Sequence, residues 1–171
     1  MLASNVSQAV FISLIYNRVV RSLGGRSVGA FLSEIGTVFQ VTAAQDGEAV
    51  EPGDFRMYLG GEWYALRYKG DTDSLSVIDQ LDVSILQNNL LAPILGIDDP
   101  RTSKEIDFLG GIRGTGELVK LVESGEYEVA FSLYPTTVDQ LMAIADAGGI
   151  MPPKSTWFEP KLRDGIVSHD F

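Results

Sequence analysis

The sequence predicts a single α/β or α+β domain in which covering helices pack on a mixed sheet that includes an antiparallel hairpin. Its 171 residues suit one domain, because domains most often contain roughly 100 to 150 residues. Its 45% hydrophobic and 21% charged residues are ordinary for a folded chain. Segments with the strand period of two residues alternate with segments of helical period, most regularly in the final third.

The first elements are a predicted strand and a predicted helix. Residues 10–20 are rich in β-branched and aromatic side chains, which predicts a strand with a break near Tyr16. Ser27 can cap a helix over residues 28–36. One face of this helix carries its large apolar residues, which are Phe31, Leu32 and Ile35.

A short strand, a loop and a hairpin follow. Residues 38–41 have a strand-like pattern, and residues 42–54 are small, acidic and interrupted by glycine and proline, which predicts a surface loop. Residues 55–59 and 63–68 then alternate around residues 60–62, where two glycines can supply the positive φ of a tight turn. This pattern predicts an antiparallel hairpin, which we expect at one edge of the sheet.

The period becomes helical over residues 72–95, and Pro93 ends or kinks the last turn. A polar loop follows, and the last third has the order strand, helix, strand, helix, strand. Thr137 and Gln140 have the spacing of a capping box at the start of the second of these helices. We expect that helix to turn its apolar residues inward, namely Val138, Leu141, Met142, Ile144 and Ala145.

Charge and composition exclude several classes of function. Thirteen basic residues against 23 acidic ones give a net charge of −10, so the field of the chain repels nucleic acid and anionic lipid. The chain has no cysteine and one histidine, which excludes disulfides, thiolate catalysis, iron–sulfur clusters and multi-histidine metal sites. We therefore predict no nucleic-acid partner.

Targeting signals are also not predicted. The first apolar stretch, residues 9–16, is about half of the roughly 20 residues that a membrane helix needs. Residues 1–8 contain no Lys or Arg, unlike the start of a secretory signal peptide. We expect a cytoplasmic chain with no membrane partner.

The first candidate site is the glycine loop, residues 110–116, between a predicted strand and a predicted helix. Free backbone amides and the helix dipole favour an anion at such a place, and the Arg113 guanidinium suits phosphate or carboxylate. The spacing matches neither G-x-G-x-x-G nor a P-loop, so a tight turn is the alternative. The candidate ligand-binding residues here are Gly110, Gly111, Arg113 and Gly114.

The second candidate site is the proline loop, residues 151–156, which opens a basic segment over residues 151–163. Two prolines stiffen its approach, and Lys154, Ser155 and Thr156 offer an ammonium group and two hydroxyl groups to an oxyanion. The alternative is a crossover loop whose Trp157 and Phe158 cover the edge of the core.

Carboxylates and amides form a third set, which consists of Asp82, Gln87, Asn88, Asn89, Asp98, Asp99, Arg101 and Asp107. Asp98 and Asp99 could hold Mg²⁺, although Asp-Asp-Pro-Arg is also typical of a polar turn, which we favour. His169 could act as a general base, but it lacks a diagnostic neighbour, and we favour an ordinary terminal histidine. No catalytic residue, metal ligand or cofactor is assigned.

Five long segments occur in an order that is typical of a known family, at residues 16–20, 81–97, 106–114, 130–147 and 150–162. Together they resemble DUF1015, a bacterial and archaeal family of unknown function. Its members are usually longer, and this chain resembles their C-terminal half. Their other half carries a Gly-His-His-Arg type segment similar to the nucleotide-handling motif of the ParB and sulfiredoxin-like superfamily, and this chain has no such segment. The resemblance implies one domain over residues 1–171 that is part of a longer protein.

Two functions remain open on the sequence. One is part of an enzyme that binds a small phosphorylated or carboxylated metabolite or a nucleotide through the glycine loop and the proline loop. The other is a noncatalytic structural or self-association domain of a larger protein, which would form a homo-oligomer.

Overall fold

The computed structural model describes residues 12–14, 16–155 and 157–159. A six-stranded sheet has the strand order β3-β5-β4-β7-β2-β6, and β1 pairs with β8 in a separate two-stranded sheet. A π-helical turn (Gln87–Leu91) follows α2, and a 3₁₀ turn (Gly111–Arg113) precedes α3. The elements in chain order are β1 (Ile12–Leu14), β2 (Tyr16–Val20), α1 (Val28–Val38), β3 (Phe39–Ala44), β4 (Phe55–Leu59), β5 (Glu62–Tyr68), α2 (Asp82–Leu86), β6 (Ile106–Gly110), α3 (Thr115–Glu123), β7 (Val129–Ser132), α4 (Val138–Asp146) and β8 (Trp157–Glu159).

The fold class is confirmed as α+β, but the sheet is antiparallel at every pairing where the sequence predicted a mixed sheet. β6 and β7 do run in the same direction, as expected for a strand–helix–strand unit. β2 lies between them and pairs with both, so no parallel ladder forms. The strand between them, β2, comes from the beginning of the chain, and local periodicity does not indicate such a long-range pairing.

The predicted hairpin is confirmed as β4 and β5. Gly60 and Gly61 join the strands at φ of 60° and 89°, the left-handed values that a two-residue hairpin turn requires. The hairpin does not form the edge of the sheet, however. β3 continues to Ala44, beyond the predicted strand, and pairs with β5 along its whole length, so β3 is the edge strand.

The beginning of the chain also follows the prediction. The first strand is divided into β1 and β2 near Tyr16, while residues 10, 11 and 15 lie outside the described residues. Ser27 caps α1, because its Oγ accepts a hydrogen bond from the amide of Ala30 at 3.3 Å. Phe31 and Ile35 are fully buried on the inner face of that helix.

Alternation along β2 divides the interior into two cores. Val20 and Phe131 point to one side of the sheet, into the main core, where α1 and α2 also bury residues. Val19 points to the other side, into a second core that contains Leu118 of α3 and Tyr58. The side chains of Asn17 and Arg18, one step earlier in β2, therefore lie on opposite faces of the sheet.

The helix predicted over residues 72–95 is shorter, because regular helical structure covers only Asp82–Leu86 and the π-helical turn Gln87–Leu91. Residues 72–81 form turns instead. Ser76 donates a hydrogen bond to Asp79 and accepts one from the Asp79 amide, which is the pattern of a helix N-cap, but only turns follow before Asp82.

The capping box at Thr137 and Gln140 is confirmed in both of its hydrogen bonds. The predicted inward face of α4 is wrong. Of the five apolar residues expected inside, only Ile144 is buried, while Val138 and Met142 are 61% and 55% exposed. Ile144 belongs to the main core and Leu141 is half-buried, whereas Val138, Met142 and Ala145 are exposed.

Candidate functional site

The glycine loop joins β6 to α3, as the sequence predicted. β6 ends at Gly110, a 3₁₀ turn follows, and Gly114 at φ 68° and ψ 173° precedes the first residue of α3. Almost only glycine adopts this conformation. The N-cap residue is a glycine and supplies no side-chain hydrogen bond, and within the described part of the chain no other side chain is recorded as capping the first backbone amides of α3.

Beside this loop is a small cavity of about 130 Å³, the glycine-loop pocket. Gly111, Gly114 and Thr115 form one wall, and Asn17 of β2 forms another. Asn17 is 3% exposed, and its Oδ1 has no hydrogen-bond partner among the residues that the structure describes. Buried polar atoms are nearly always paired in folded proteins, so this oxygen is available to a donor that enters the pocket.

Glu48 is an acidic group at the same pocket. Its Oε1 accepts a hydrogen bond from Thr115 Oγ1 at 3.2 Å, which places a carboxylate beside the start of α3. A carboxylate there interacts favourably with the helix dipole and disfavours a second anion. Arg113, predicted to clamp an anion, is exposed and does not line this cavity.

The proline loop is held against the start of β2, because β8, which follows the loop, pairs with β1, which precedes β2. Ser155 is 2% exposed, and its hydroxyl donates to the Pro152 carbonyl at 2.5 Å. Thr136 Oγ1 donates to the Ser155 carbonyl at 3.2 Å. The Ser155 hydroxyl therefore shapes the loop, and Thr156 lies outside the described residues.

Lys154 occupies the exposed corner of this loop at φ 56°, a left-handed value that is uncommon outside glycine. Its Nζ lies 5.2 Å from the centroid of the Tyr16 ring, within range of a cation–π contact. Tyr16 is in turn the register partner of Gly110. Tyr16 thus pairs with the glycine loop through its backbone and contacts the proline loop through its ring, and Lys154 does not line the glycine-loop pocket.

Arg18 is a functional candidate that the sequence reasoning missed. It is 4% exposed, and burial lowers the pKa of its guanidinium to about 10. It donates to the Tyr16 carbonyl at 2.6 Å and to the Lys154 carbonyl at 3.5 Å. The signal was the pair of polar residues, Asn17 and Arg18, inside an apolar strand pattern.

The third predicted set has structural partners. Both carboxylate oxygens of Asp99 accept hydrogen bonds from Arg101 at 2.9 Å, which lowers the pKa of Asp99 and confirms a polar turn. Asp107 pairs with Arg21 at 2.7 Å. The amide of Asn89 donates to the Ile85 carbonyl within the helical segment. The described residues contain no group of three or more acidic or histidine side chains that could hold a metal ion.

His169 lies beyond the described residues. Within the described part of the chain, no helix is both long and apolar enough to cross a lipid bilayer.

Comparison with solved structures supports the fold. A mutant of a free serine kinase in complex with AMP matches with a TM-score of 0.52 and 12% identity, over 90% of this chain and 56% of that one. The free serine kinase in complex with AMP matches with a TM-score of 0.51 and 11% identity over the same shares. A conserved hypothetical protein from Pyrococcus furiosus matches with a TM-score of 0.51 and 16% identity, over 86% of this chain and 56% of that one. The chain thus spans about half the length of the structures it matches.

Comparison of the sequence with curated proteins finds no match. The model of one family, described as "Protein of unknown function (DUF1015)", matches residues 1–84. That segment contains the strand motif at residues 16–20 and the beginning of the helical motif at residues 81–97. The match confirms that the chain resembles the DUF1015 family.

Proposed function

We propose that this chain is part of an enzyme and binds a small anion, namely a phosphorylated or carboxylated metabolite or a nucleotide, through the glycine loop and the proline loop. The observation that carries the proposal is that Tyr16 adjoins both loops, one through its backbone and the other through its ring. The sequence pointed to each loop independently as an anion site. Tyr16 pairs with Gly110 in one loop and lies 5.2 Å from Lys154 Nζ in the other.

In this proposal the free amides at the start of α3 bind the oxyanion, with Gly110, Gly111 and Gly114 allowing close approach of the backbone. Lys154 supplies a positive charge from the opposite loop, and Arg113 adds a second from the exposed side. The role of Ser155 is to fix the loop through its bond to the Pro152 carbonyl, and Thr156 supplies a hydroxyl.

Glu48 gives the proposal a sharp test, because its carboxylate competes for the same helix terminus. Replacing Glu48 with Gln keeps an oxygen that can accept from Thr115 Oγ1 and removes the negative charge. An anion in the glycine-loop pocket should therefore bind more tightly to the Glu48→Gln variant than to the wild type.

The structural neighbours suggest which ligands to examine first. A free serine kinase binds AMP in two of the structures described above, so AMP and ADP belong in the panel with phosphate and phosphoserine. Mg²⁺ is included in half of the conditions of this ligand panel.

We further propose that the chain is the C-terminal part of a longer cytoplasmic bacterial protein.

The experiment is a thermal-shift screen of the full chain against this panel. A ligand at about 100 times its Kd should stabilise the fold by roughly 2.7 kcal/mol. We expect the shift to disappear in Lys154→Ala, to shrink in Arg113→Ala and to grow in Glu48→Gln. Arg67→Ala is the matched control, because Arg67 is exposed and paired with Glu51 away from both loops. A shift that survives Lys154→Ala would place the ligand elsewhere.

The alternative function is a noncatalytic structural or self-association domain. The outward apolar side of α4 favours it, since Val138 and Met142 are more than half exposed and Ile150 nearby is 87% exposed. Apolar surface of this kind is often covered by a partner.

Sedimentation velocity over a range of concentrations tests this alternative. A self-associating domain should increase in mass with concentration, and Met142→Lys should abolish the increase. A monomer at every concentration excludes self-association through this helix.

A further inference from the structure

A second cavity, the Arg18 pocket, lies on the face of the sheet opposite the glycine-loop pocket. It has a volume of about 560 Å³, within the range of roughly 300–1,000 Å³ that is typical of small-molecule sites. Arg18 lines it together with Phe108, its register partner on β6. None of the residues proposed above to bind an anion lines this pocket.

Arg18 is the unusual group in this pocket. Its guanidinium contacts two backbone carbonyls and the Phe108 ring, whose centroid is 5.6 Å away. Among the ion pairs of the described residues, none includes Arg18. A buried charge is costly unless an opposite charge compensates it, and arginine remains charged at neutral pH. The protein thus holds a buried cation at the wall of a cavity that is large enough for a ligand.

The remaining walls indicate what else the ligand carries. Met151 and Pro152 form an apolar side that suits a short carbon skeleton. Asp98 and Asn88 are exposed at the pocket and offer acceptor oxygens. Asn88 belongs to the π-helical turn, a form of helix that is frequent at functional sites.

Charge excludes a polyphosphate from this place. Three carboxylates line the pocket, and only that of Asp99 is neutralised, by Arg101. A ligand with several negative charges would be repelled by Asp79 and Asp98, whereas one negative group could pair with Arg18. Hydroxyl or amino groups on the same ligand could donate to Asp98 and Asn88.

We propose that the Arg18 pocket binds a small organic acid whose carboxylate pairs with Arg18 and whose hydroxyl or amino groups donate to Asp98 and Asn88. This site uses different residues from the proposed anion site, so either proposal can fail alone. Lys154→Ala removes the ammonium group of the proline loop but keeps the carbonyl that Arg18 contacts.

The test is calorimetric titration and thermal shift of the full chain with glycerate, a hydroxylated carboxylate. Propionate, inorganic phosphate and AMP serve as comparison probes. We expect saturable binding of glycerate, at least tenfold weaker binding of propionate, and no effect of Lys154→Ala. Arg18→Met should abolish glycerate binding, and Asn88→Ala should weaken it severalfold.

Stability without ligand separates this role from a merely structural one. If the role of Arg18 is to bind a ligand, the Arg18→Met variant should melt at the same temperature as the wild type or higher. The reason is that replacing Arg18 with an apolar residue removes an uncompensated buried charge. A large loss of stability in Arg18→Met would assign Arg18 to the fold. Failure of glycerate to bind, binding that persists in Arg18→Met, or Arg18-dependent binding of phosphate or AMP in its place would each overturn the proposal.

Discussion

The carboxyl group of Asp82 is buried at the start of α2, where it accepts a hydrogen bond from the Gly53 amide at 2.9 Å. Burial is the main cause that raises its pKa from the ordinary 3.8 to about 7, and the neighbouring Asp54 carboxylate acts in the same direction. The folded chain therefore prefers the protonated acid. Stability from this preference is fully present below pH 3.8 and is lost as the pH rises toward 7.

We expect the free energy of unfolding of the wild type to decline by up to a few kcal/mol across this interval. Asp82→Asn keeps an oxygen acceptor for Gly53 and cannot ionise, so its decline should be smaller. Urea denaturation at several pH values measures the slope of the free energy of unfolding against pH for the wild type and for Asp82→Asn. Asp146→Asn, at an exposed position on α4, is the control and should retain the wild-type slope. Equal slopes in Asp82→Asn and the wild type would contradict the assignment.

Gly114 tests the backbone of the glycine loop at a single position. Its φ of 68° and ψ of 173° strain any residue with a Cβ, although no atom lies within 4 Å of the place where a Cβ would stand. Gly114→Ala should therefore destabilise the fold by about 1–3 kcal/mol.

Gly116, two residues later, provides the matched control for this substitution. It lies inside α3 with equally open space, so Gly116→Ala should stabilise the helix by up to about 1 kcal/mol. Chemical denaturation of both variants should give changes of opposite sign. A neutral Gly114→Ala would show that the loop can relax.

The capping box is the clearest feature at the scale of one element. Thr137 Oγ1 accepts from the Gln140 amide at 3.2 Å, and Gln140 Oε1 accepts from the Thr137 amide at 2.9 Å. Thr137→Ala should lower the free energy of unfolding by about 1 kcal/mol. Gln140→Glu retains the acceptor and should change stability little. A thermal denaturation series compares the two variants, and equal losses would argue against the cap.

Elements with a local cause could be predicted from the sequence. The hairpin follows from two adjacent glycines, and the caps at Ser27 and Thr137 follow from side chains three residues from their partners. The shortened helix before Asp82 could not be predicted, because the apolar spacing of residues 72–81 is helical although the structure forms only turns and bends there. The insertion of β2 between β6 and β7 depends on long-range pairing, which no local pattern records.

The candidate site shows the same division. The glycine loop was correctly placed between a strand and a helix, since turn-forming residues and periodicity mark both ends. The contact of both loops with Tyr16 is long-range, because Tyr16 lies about a hundred residues earlier in the chain. Arg18 and Asn17 were hidden because an alternating strand pattern does not say whether a polar residue faces water or a cavity.

At the scale of the whole molecule, β2 links the parts on which function depends. Its alternate residues fill the main core and the second core, and its polar residues open to a pocket on each face of the sheet. A change that loosens β2 should therefore affect both cores and both pockets together.

This arrangement predicts one cooperative unfolding transition. Leu118 is fully buried in the second core, so Leu118→Ala should cost about 2–5 kcal/mol. Trp63 packs against the same core, and its fluorescence in a Trp157→Phe background reports that side of the sheet. Because both cores share the sheet, we expect Trp63 fluorescence and far-UV circular dichroism to shift to the same lower melting temperature.

Two comparisons make this prediction decisive. Phe131→Ala removes a fully buried ring from the main core. It should lower the melting temperatures that fluorescence and circular dichroism report by a similar amount. Val138→Ala, at an exposed position, should leave both melting temperatures nearly unchanged, because surface substitutions usually alter the free energy of unfolding by no more than about 0.5 kcal/mol. If Trp63 fluorescence melts before circular dichroism in Leu118→Ala, α3 and the glycine loop unfold separately from the sheet, and the pocket beside them can open without global unfolding.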